Sequence, residues 1–166
     1  MTSGRFQLPT FPLVLVGALA LGTSACNGGS TAGCTQCAPM EGRYSLELDP
    51  GTNPPTCSGI PVTLPEGPLA VSRQDSDISA ELDGLTLRGT LYQTNDFSLV
   101  GSRLGEDDGG TPGLDSASLS GRYVPGAGDG GVPKLVGDWQ GNFSSTSTGG
   151  GTKRYSVTRS FTATRQ

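Results

Sequence analysis

The chain has 166 residues, with 11 basic and 15 acidic side chains and a formal net charge of −4. It holds no histidine, 27 glycines and 12 prolines, and 33% of its residues are hydrophobic. This length fits one domain, and an acidic balance without a basic stripe excludes nucleic acid as an expected partner. The glycine and proline content predicts many turns around a modest core.

Residues 1–25 have the layout of a secretory signal peptide. Arg5 precedes the uncharged run FPLVLVGALALG, and the small residues Thr-Ser-Ala stand directly before Cys26. The apolar run is shorter than the ~20 residues that cross a bilayer, but it has the length of a signal-peptide centre. We therefore expect removal of residues 1–25 and a mature chain that starts at Cys26.

The tetrapeptide TSAC at 23–26 resembles the lipobox of bacterial lipoproteins, in which small residues precede a cysteine that receives diacylglycerol. The resemblance implies that Cys26 carries a lipid and that the membrane is a partner through this anchor. The protein would then lie at the outer membrane or cell surface. Ordinary signal peptidase cleavage after Ala25 is the open alternative, since small residues at 23 and 25 also suit that enzyme. In that case the protein is periplasmic or secreted.

Residues 26–41 consist mostly of Gly, Ser, Thr, Ala and Asn and show no hydrophobic period. This composition predicts a flexible linker. The domain itself is expected to span residues 42–166.

Apolar residues in the domain alternate with polar ones, which is typical of half-buried strands. The clearest case is SDISAELDGLTLRGTLYQTNDFSLVGSR, in which Asp83-Gly84 suits a two-residue hairpin turn. No segment of the mature chain has a helical period. The predicted strands lie near 43–48, 60–64, 68–73, 77–83, 85–92, 96–103, 116–123, 134–143 and 153–164.

Glycine is followed two residues later by an aromatic residue at several places, including Gly137/Trp139 and Gly141/Phe143. Residues two apart share one face of a strand, so a ring can lie over the gap that the glycine leaves while the sheet bends sharply. We therefore predict an all-β fold, a small antiparallel up-and-down (meander) barrel of eight or nine strands. A β-sandwich is the alternative, because alternation and turn spacing also fit two packed sheets.

The cysteines Cys34, Cys37 and Cys57 follow an export signal, and exported thiols tend to form disulfides. A zinc site needs four Cys or His ligands, and a redox Cys-x2-Cys motif prefers a helix N-terminus, so neither is predicted. We expect a disulfide from Cys57 to Cys37, with Cys34 as the alternative partner of Cys57.

No arrangement of residues points to catalysis, a metal or a cofactor. Without histidine there can be no Ser-His-Asp or Cys-His site, so we expect a protein that is not an enzyme. Two residues are weak candidates for binding a ligand. Trp139 is a large aromatic residue, and Arg159 falls on the apolar face of the last strand.

The predicted architecture is distantly similar to that of lipocalins and avidins, but no ligand and no binding residue carries over from those families. A small apolar ligand or a protein is the expected partner. The function expected from the sequence is a non-catalytic, lipid-anchored barrel lipoprotein of the cell envelope, in a binding or structural role. As an alternative, GRYSLEL followed by CSGIPVTL is similar to the secreted barrel inhibitors of bacterial metalloproteases. Those inhibitors insert the segment before their first strand into the protease.

Overall fold

A computed structural model describes residues 32–51, 55–57, 59–103, 113–128, 130–146 and 150–166. Eight of the strands in this part of the chain form a closed antiparallel barrel, in the order β1-β10-β9-β8-β7-β6-β5-β4. The predicted all-β meander barrel is therefore confirmed, and the fold is not the alternative sandwich. The strands are β1 (Gly42–Leu48), β2 (Thr56–Cys57), β3 (Ile60–Pro61), β4 (Leu69–Gln74), β5 (Asp77–Leu82), β6 (Leu85–Leu91), β7 (Asp96–Ser102), β8 (Gly113–Val124), β9 (Lys134–Thr146) and β10 (Thr152–Arg165).

The predicted strand at 60–64 is much shorter in the structure and lies outside the barrel. Only Ile60–Pro61 is extended, and it pairs with Thr56–Cys57 in a separate two-stranded sheet. Pro61 and Pro65 lack the N–H groups that a strand inside a sheet must donate. The described residues between β1 and β4 therefore form mostly a loop rather than a ninth barrel strand.

From β4 to β10 each strand pairs with the next one along the chain. The turn between β5 and β6 is Asp83-Gly84, where both residues have positive φ, 48° and 75°. This is the conformation that a tight hairpin requires, and it is the reason for glycine there. The turn predicted from Asp-Gly is confirmed.

The barrel interior is apolar and its exterior is polar. Small polar side chains, mostly serine and threonine, point outward from β8, β9 and β10 and hydrogen-bond across strands, as Asn142 does to Ser116 and Ser160 to Asp138. Inward-facing residues alternate with these and are buried, and no polar or charged residue of the described part is buried. The largest fully buried side chains are Trp139, Tyr44, Phe97, Phe143, Met40, Leu69, Leu82, Leu87, Leu91, Leu99, Leu119 and Leu135.

Glycines bring β8 and β9 unusually close. Gly121 and Gly137 are register partners, and a Cβ atom on Gly121 would lie 2.1 Å from the Val136 carbonyl oxygen and 2.9 Å from the Cα of Gly137. Gly141 gives space to an aromatic ring, since a Cβ there would lie 2.4 Å from the Trp139 ring. The ring that covers Gly141 is therefore Trp139, two positions before the glycine, and not Phe143, two positions after it.

The two ends of the barrel are covered by different segments. At one end, where β1 begins and β10 ends, residues 32–41 pack across the strands. We call these residues the cap and this end the capped end. At the opposite end, where β1 ends and β10 begins, the chain from 49 to 68 returns to β4. Pro55, Val62 and Pro65 of this segment are buried, so it closes the opposite end.

Candidate functional site

Trp139 is a core residue in the structure. Its side chain is fully buried on β9, and its ring packs edge-on against Phe143 with centroids 6.3 Å apart and an interplanar angle of 62°. The indole N–H has no hydrogen-bond partner among the described residues. Trp139 therefore fills the barrel and offers no surface on which a ligand could stack.

Arg159 is the register partner of Trp139 on the neighbouring strand. The structure thus brings the two candidate ligand residues together, but not around a cavity. Arg159 is half-buried where the chain leaves β1, and its guanidinium lies where a Cβ on Gly51 would come within 2.9 Å. Its Nη1 donates a hydrogen bond of 2.9 Å to the Thr158 carbonyl oxygen. An arginine on an apolar strand face is accommodated here at the end of the barrel, against backbone.

The cap is fixed to the strands that follow it in the barrel wall. Gly33 forms an isolated antiparallel bridge with Tyr92, and the Cys34 amide donates a bond of 2.8 Å to the Leu91 carbonyl oxygen. Met40 is fully buried and Cys34 is 6% exposed. Residues 26–31, including Cys26, lie outside the described residues, as does the predicted signal peptide. The prediction of a flexible linker is wrong for residues 32–41, because their backbone pairs with β6 and Met40 fills the end of the core.

The side chain of one arginine, Arg73, donates hydrogen bonds to several backbone carbonyl oxygens of the cap. Arg73 follows Leu69 and Val71 on the inward face of β4, so its side chain leaves the barrel at the capped end. Its two terminal nitrogens lie 3.2–3.3 Å from four carbonyl oxygens of the cap. A planar guanidinium offers several donors in fixed directions, which a lysine cannot do. The carbonyl oxygens belong to Cys34, Thr35, Cys37 and Ala38.

Arg73 is not among the residues predicted from the sequence. The signal was present, because an arginine in the alternating apolar pattern Leu69, Val71, Arg73 must either reach water or find acceptors inside. Which acceptors it finds depends on a segment that lies more than thirty residues earlier in the chain, as the Arg73 to Cys37 bond shows.

Two buried tyrosines complete the attachment of the cap. The Tyr44 hydroxyl donates a bond of 2.6 Å to the Met40 carbonyl oxygen, and the Tyr123 hydroxyl donates one of 2.7 Å to the Pro39 carbonyl oxygen. Burial raises the pKa of Tyr44 to about 12, and the nearby Arg165 only partly opposes this. Burial also raises the pKa of Tyr123. Both hydroxyls therefore stay protonated and able to donate at neutral pH.

The disulfide differs from the expected one. Cys34 pairs with Cys37, with Cα atoms 5.7 Å apart, and neither is joined to Cys57 as predicted. Cys34 and Cys37 are in the cap, whereas Cys57 lies in β2, in the segment at the opposite end of the barrel. β1 runs between these ends, a distance of roughly 20 Å at about 3.3 Å per residue. A disulfide needs Cα atoms within about 7 Å, so the topology prevents the predicted bond.

The outer wall carries an open groove of about 720 Å³ at the opposite end, across β7 to β10. Its lining combines polar side chains, among them Arg103, Arg154, Asp115 and Asn142, with the rings of Phe143 and Tyr155. The Asp115 carboxylate accepts a bond of 2.9 Å from the Ser144 hydroxyl. The outer wall therefore offers side chains that a partner could contact, whereas the barrel interior is filled by the protein's own side chains.

Comparisons with models of protein families, with curated proteins and with solved structures gave no match. The described part of the chain contains no helix that is long and apolar enough to cross a membrane. Among the residues that the structure describes, no group of three or more His, Cys, Asp or Glu side chains is placed to hold a metal ion.

Proposed function

We propose that this protein is an exported lipoprotein of the cell envelope that is anchored through Cys26 and binds a protein partner on its outer surface without catalysing a reaction. The observation that carries the choice of partner is the filled barrel. Aromatic and aliphatic side chains occupy the interior, residues 32–41 cover one end, and Pro55, Val62 and Pro65 are buried at the other. Small-molecule sites are usually concave pockets with a few converging polar groups, so the outer wall is the better candidate for binding.

Two features support export. The basic start, apolar centre and small residues before Cys26 suit a signal that is read and cleaved outside the cytoplasm. The Cys34–Cys37 disulfide suits an oxidising compartment, because cytosolic thiols are kept reduced.

The anchor is tested by metabolic labelling with radioactive palmitate in a bacterial host that processes lipoproteins. The wild-type chain should incorporate label and fractionate with membranes, whereas Cys26→Ser should do neither. Cys57→Ser is the matched control, since it removes a cysteine outside the lipobox and should leave labelling unchanged. A wild-type chain without label would contradict the lipid anchor and favour simple secretion.

The inhibitor alternative requires a segment before the first strand that is available to enter a protease. Residues 32–41 are instead held by Arg73, Tyr44 and Tyr123 against their own barrel, so the structure gives this alternative no support. Titration of the protein against secreted bacterial metalloproteases should leave their activity unchanged. Stoichiometric inhibition would replace the proposal above.

A further inference from the structure

The Cys34–Cys37 disulfide lies beside a surface depression of the cap. Both cysteines line this depression, which is open and has a volume of about 480 Å³. Cys34 is only 6% exposed, whereas Cys37 is half-buried and the two residues between them are exposed. Within the described part of the chain, Cys37 is therefore the cysteine of this pair that another molecule reaches more easily.

The side chains around the disulfide are neutral where they line the depression. Apart from the two cysteines, the lining consists of Thr35, Gln36, Ala38, Gln93 and Asn95. No acidic side chain of the described residues lines it, so an approaching thiolate meets no negative charge there.

Arg73 brings a positive charge to both cysteines from the barrel. Its Nη1 lies 3.2 Å from the Cys37 carbonyl oxygen, and its Nη2 lies 3.3 Å from the Cys34 carbonyl oxygen. Its Nε donates to the backbone carbonyl of Asp75, and no carboxylate of the described residues forms an ion pair with the guanidinium. A nearby positive charge stabilises the thiolate that leaves when a disulfide is attacked. These surroundings favour exchange of this disulfide with an outside thiol.

An acceptor for a reduced Cys37 is already in place. Its sulfur lies 3.5 Å from the Tyr92 carbonyl oxygen, but a sulfur in a disulfide carries no hydrogen to donate. After reduction it carries one, and a thiol is a weak donor to such an oxygen. The Gly33–Tyr92 bridge and the bond from the Cys34 amide to Leu91 involve only backbone atoms. Reduction therefore leaves these attachments of the cap available and does not require the barrel to open.

The disulfide restricts the loop that Arg73 binds. Carbonyl oxygens from both cysteines, from Thr35 and from Ala38 lie 3.2–3.3 Å from the two terminal nitrogens of the guanidinium. Covalent closure over two intervening residues removes much of the conformational freedom of this loop. Reduction returns that freedom, so the carbonyl oxygens are held less firmly on Arg73.

We propose that the Cys34–Cys37 disulfide is a site of thiol–disulfide exchange with a dithiol protein, and that its reduction loosens residues 34–38 while the barrel stays folded. One thiolate of the dithiol attacks the Cys37 sulfur, which forms a mixed disulfide, and Cys34 leaves as a thiolate that takes up a proton. The second thiol of the partner then attacks the mixed disulfide and releases Cys37 as a thiol. Two electrons and two protons pass to this chain in total, and the partner leaves with its two sulfurs joined. The inference goes beyond the proposed function and depends on neither the lipid anchor nor binding at the outer wall.

A trapping experiment tests the site of exchange. The probe is a thioredoxin in which serine replaces the second active-site cysteine, and alkylation at the end of the reaction blocks the freed Cys34 thiol. We expect the folded full chain in detergent to form a one-to-one complex, in which peptide mapping places the mixed disulfide at Cys37. Cys57→Ser is the matched control and should form the same complex, whereas the double variant with Cys34→Ser and Cys37→Ser should form none. The absence of a complex, or a bond mapped to Cys34 or Cys57, would overturn the proposal.

The kinetics of reduction separate exchange in the folded protein from reduction through unfolding. With unaltered thioredoxin, the rate should differ by less than about two-fold between buffer and about 1 M urea, because the folded chain already presents Cys37. Reduction that needed global unfolding would be about ten-fold faster in urea, since urea lowers the free energy of unfolding, and that result would contradict the proposal.

Amide exchange tests the effect on the cap. In the reduced chain, amides of residues 34–38 should exchange about ten-fold faster than in the oxidised chain, because local opening of the loop becomes easier. Amides of β8, β9 and β10 should keep their rates. Unchanged exchange in residues 34–38 would show that the disulfide does not control this loop, and faster exchange throughout the barrel would show that reduction unfolds the protein instead.

Discussion

Polar groups at the capped end of the barrel are each matched to a backbone carbonyl. Arg73, Tyr44 and Tyr123 lie on three different strands and donate to oxygens of the cap. A buried carbonyl left without a donor costs on the order of 1–3 kcal/mol. The cap is therefore held by specific bonds in addition to burial of Met40, and these bonds make its stability sensitive to the protonation of single residues.

Tyr44 should make the protein less stable in alkali. Its pKa in the folded chain is about 12, against an ordinary tyrosine pKa of 10.0, so the unfolded chain loses this proton first as the pH rises. The contribution of Tyr44 is fully present below about pH 10 and is lost between about pH 10 and pH 12. Urea unfolding should show a free energy of unfolding about 1 kcal/mol lower from this residue at about pH 11 than at about pH 9.

Tyr44→Phe is the control for this titration. It should be less stable than the wild-type chain at neutral pH, by about 1 kcal/mol for the lost hydrogen bond. Its stability should fall less steeply with pH, with the remaining slope due in part to Tyr123. An equal slope in both proteins would show that Tyr44 does not titrate in this way.

At the scale of strands, β8 and β9 lie so close together at Gly121 that adding one methyl group there should lower the stability of the barrel. In Gly121→Ala the new Cβ would lie 2.1 Å from the Val136 carbonyl oxygen, so the two strands must separate. We expect a loss of about 2 kcal/mol and a melting temperature lower by roughly 5 °C. Gly113→Ala on the same strand is the matched control, since nothing lies within 4 Å of its added Cβ.

Thermal unfolding followed by circular dichroism measures both glycine variants. Gly113→Ala should melt within about 1 °C of the wild-type chain, because exposed substitutions rarely change stability by more than about 0.5 kcal/mol. Equal melting temperatures for the two variants would contradict the close contact between β8 and β9.

The disulfide gives a second prediction at this scale. Closing the short loop between Cys34 and Cys37 should stabilise the chain by about 2 kcal/mol on the chain-entropy model. The double variant with Cys34→Ser and Cys37→Ser should lose this amount and show faster amide exchange in residues 32–41. Cys57→Ser should unfold like the wild-type chain. Peptide mapping without reduction should find Cys34 joined to Cys37, and a peptide containing Cys57 linked to either would restore the pairing first expected.

For the whole molecule, the cap determines how the barrel of a lipid-anchored chain would be oriented relative to the membrane. The Gly33–Tyr92 bridge fixes the chain to the barrel shortly after Cys26. At roughly 3.5 Å per residue the intervening segment reaches at most about 25 Å. If the linker were flexible up to residue 41, the barrel could rotate freely relative to the membrane. Because the chain is fixed to the barrel from Gly33 onward, the capped end stays nearest to the lipid. The outer groove across β7 to β10 at the opposite end then faces away from the membrane.

Quenching by brominated lipids tests this orientation. Trp139→Phe removes the single native tryptophan, and a new tryptophan is then placed by Thr94→Trp at the capped end or by Thr63→Trp at the opposite end. In vesicles, lipid should quench the fluorescence of the Thr94→Trp protein more strongly. Adding Cys26→Ser should abolish quenching in both. Equal quenching of the two anchored proteins would contradict a fixed orientation.

Much of the fold could be predicted from the sequence because it depends on local patterns. Alternation of apolar and polar residues along 77–82 and 85–91 determines which side of each strand is buried, and Asp83-Gly84 determines the turn between them. Repeated glycines such as Gly121 and Gly137 indicate sharp bending. These signals predict a meander barrel of eight or nine strands, with Trp139 on a strand face.

The tertiary structure alone decided how distant segments meet. The partner of Cys34, the carbonyls that Arg73 binds and the filling of the barrel by Met40 all depend on residues 32–41 returning to one end, which no local period reveals. Periodicity records the environment of a residue along its own strand, whereas closure and edges depend on relative strand lengths and on loops that cover the ends. For that reason the sequence predicted a barrel but left its partner open between a small apolar ligand and a protein, whereas the structure has a filled barrel with its candidate binding surface on the outside.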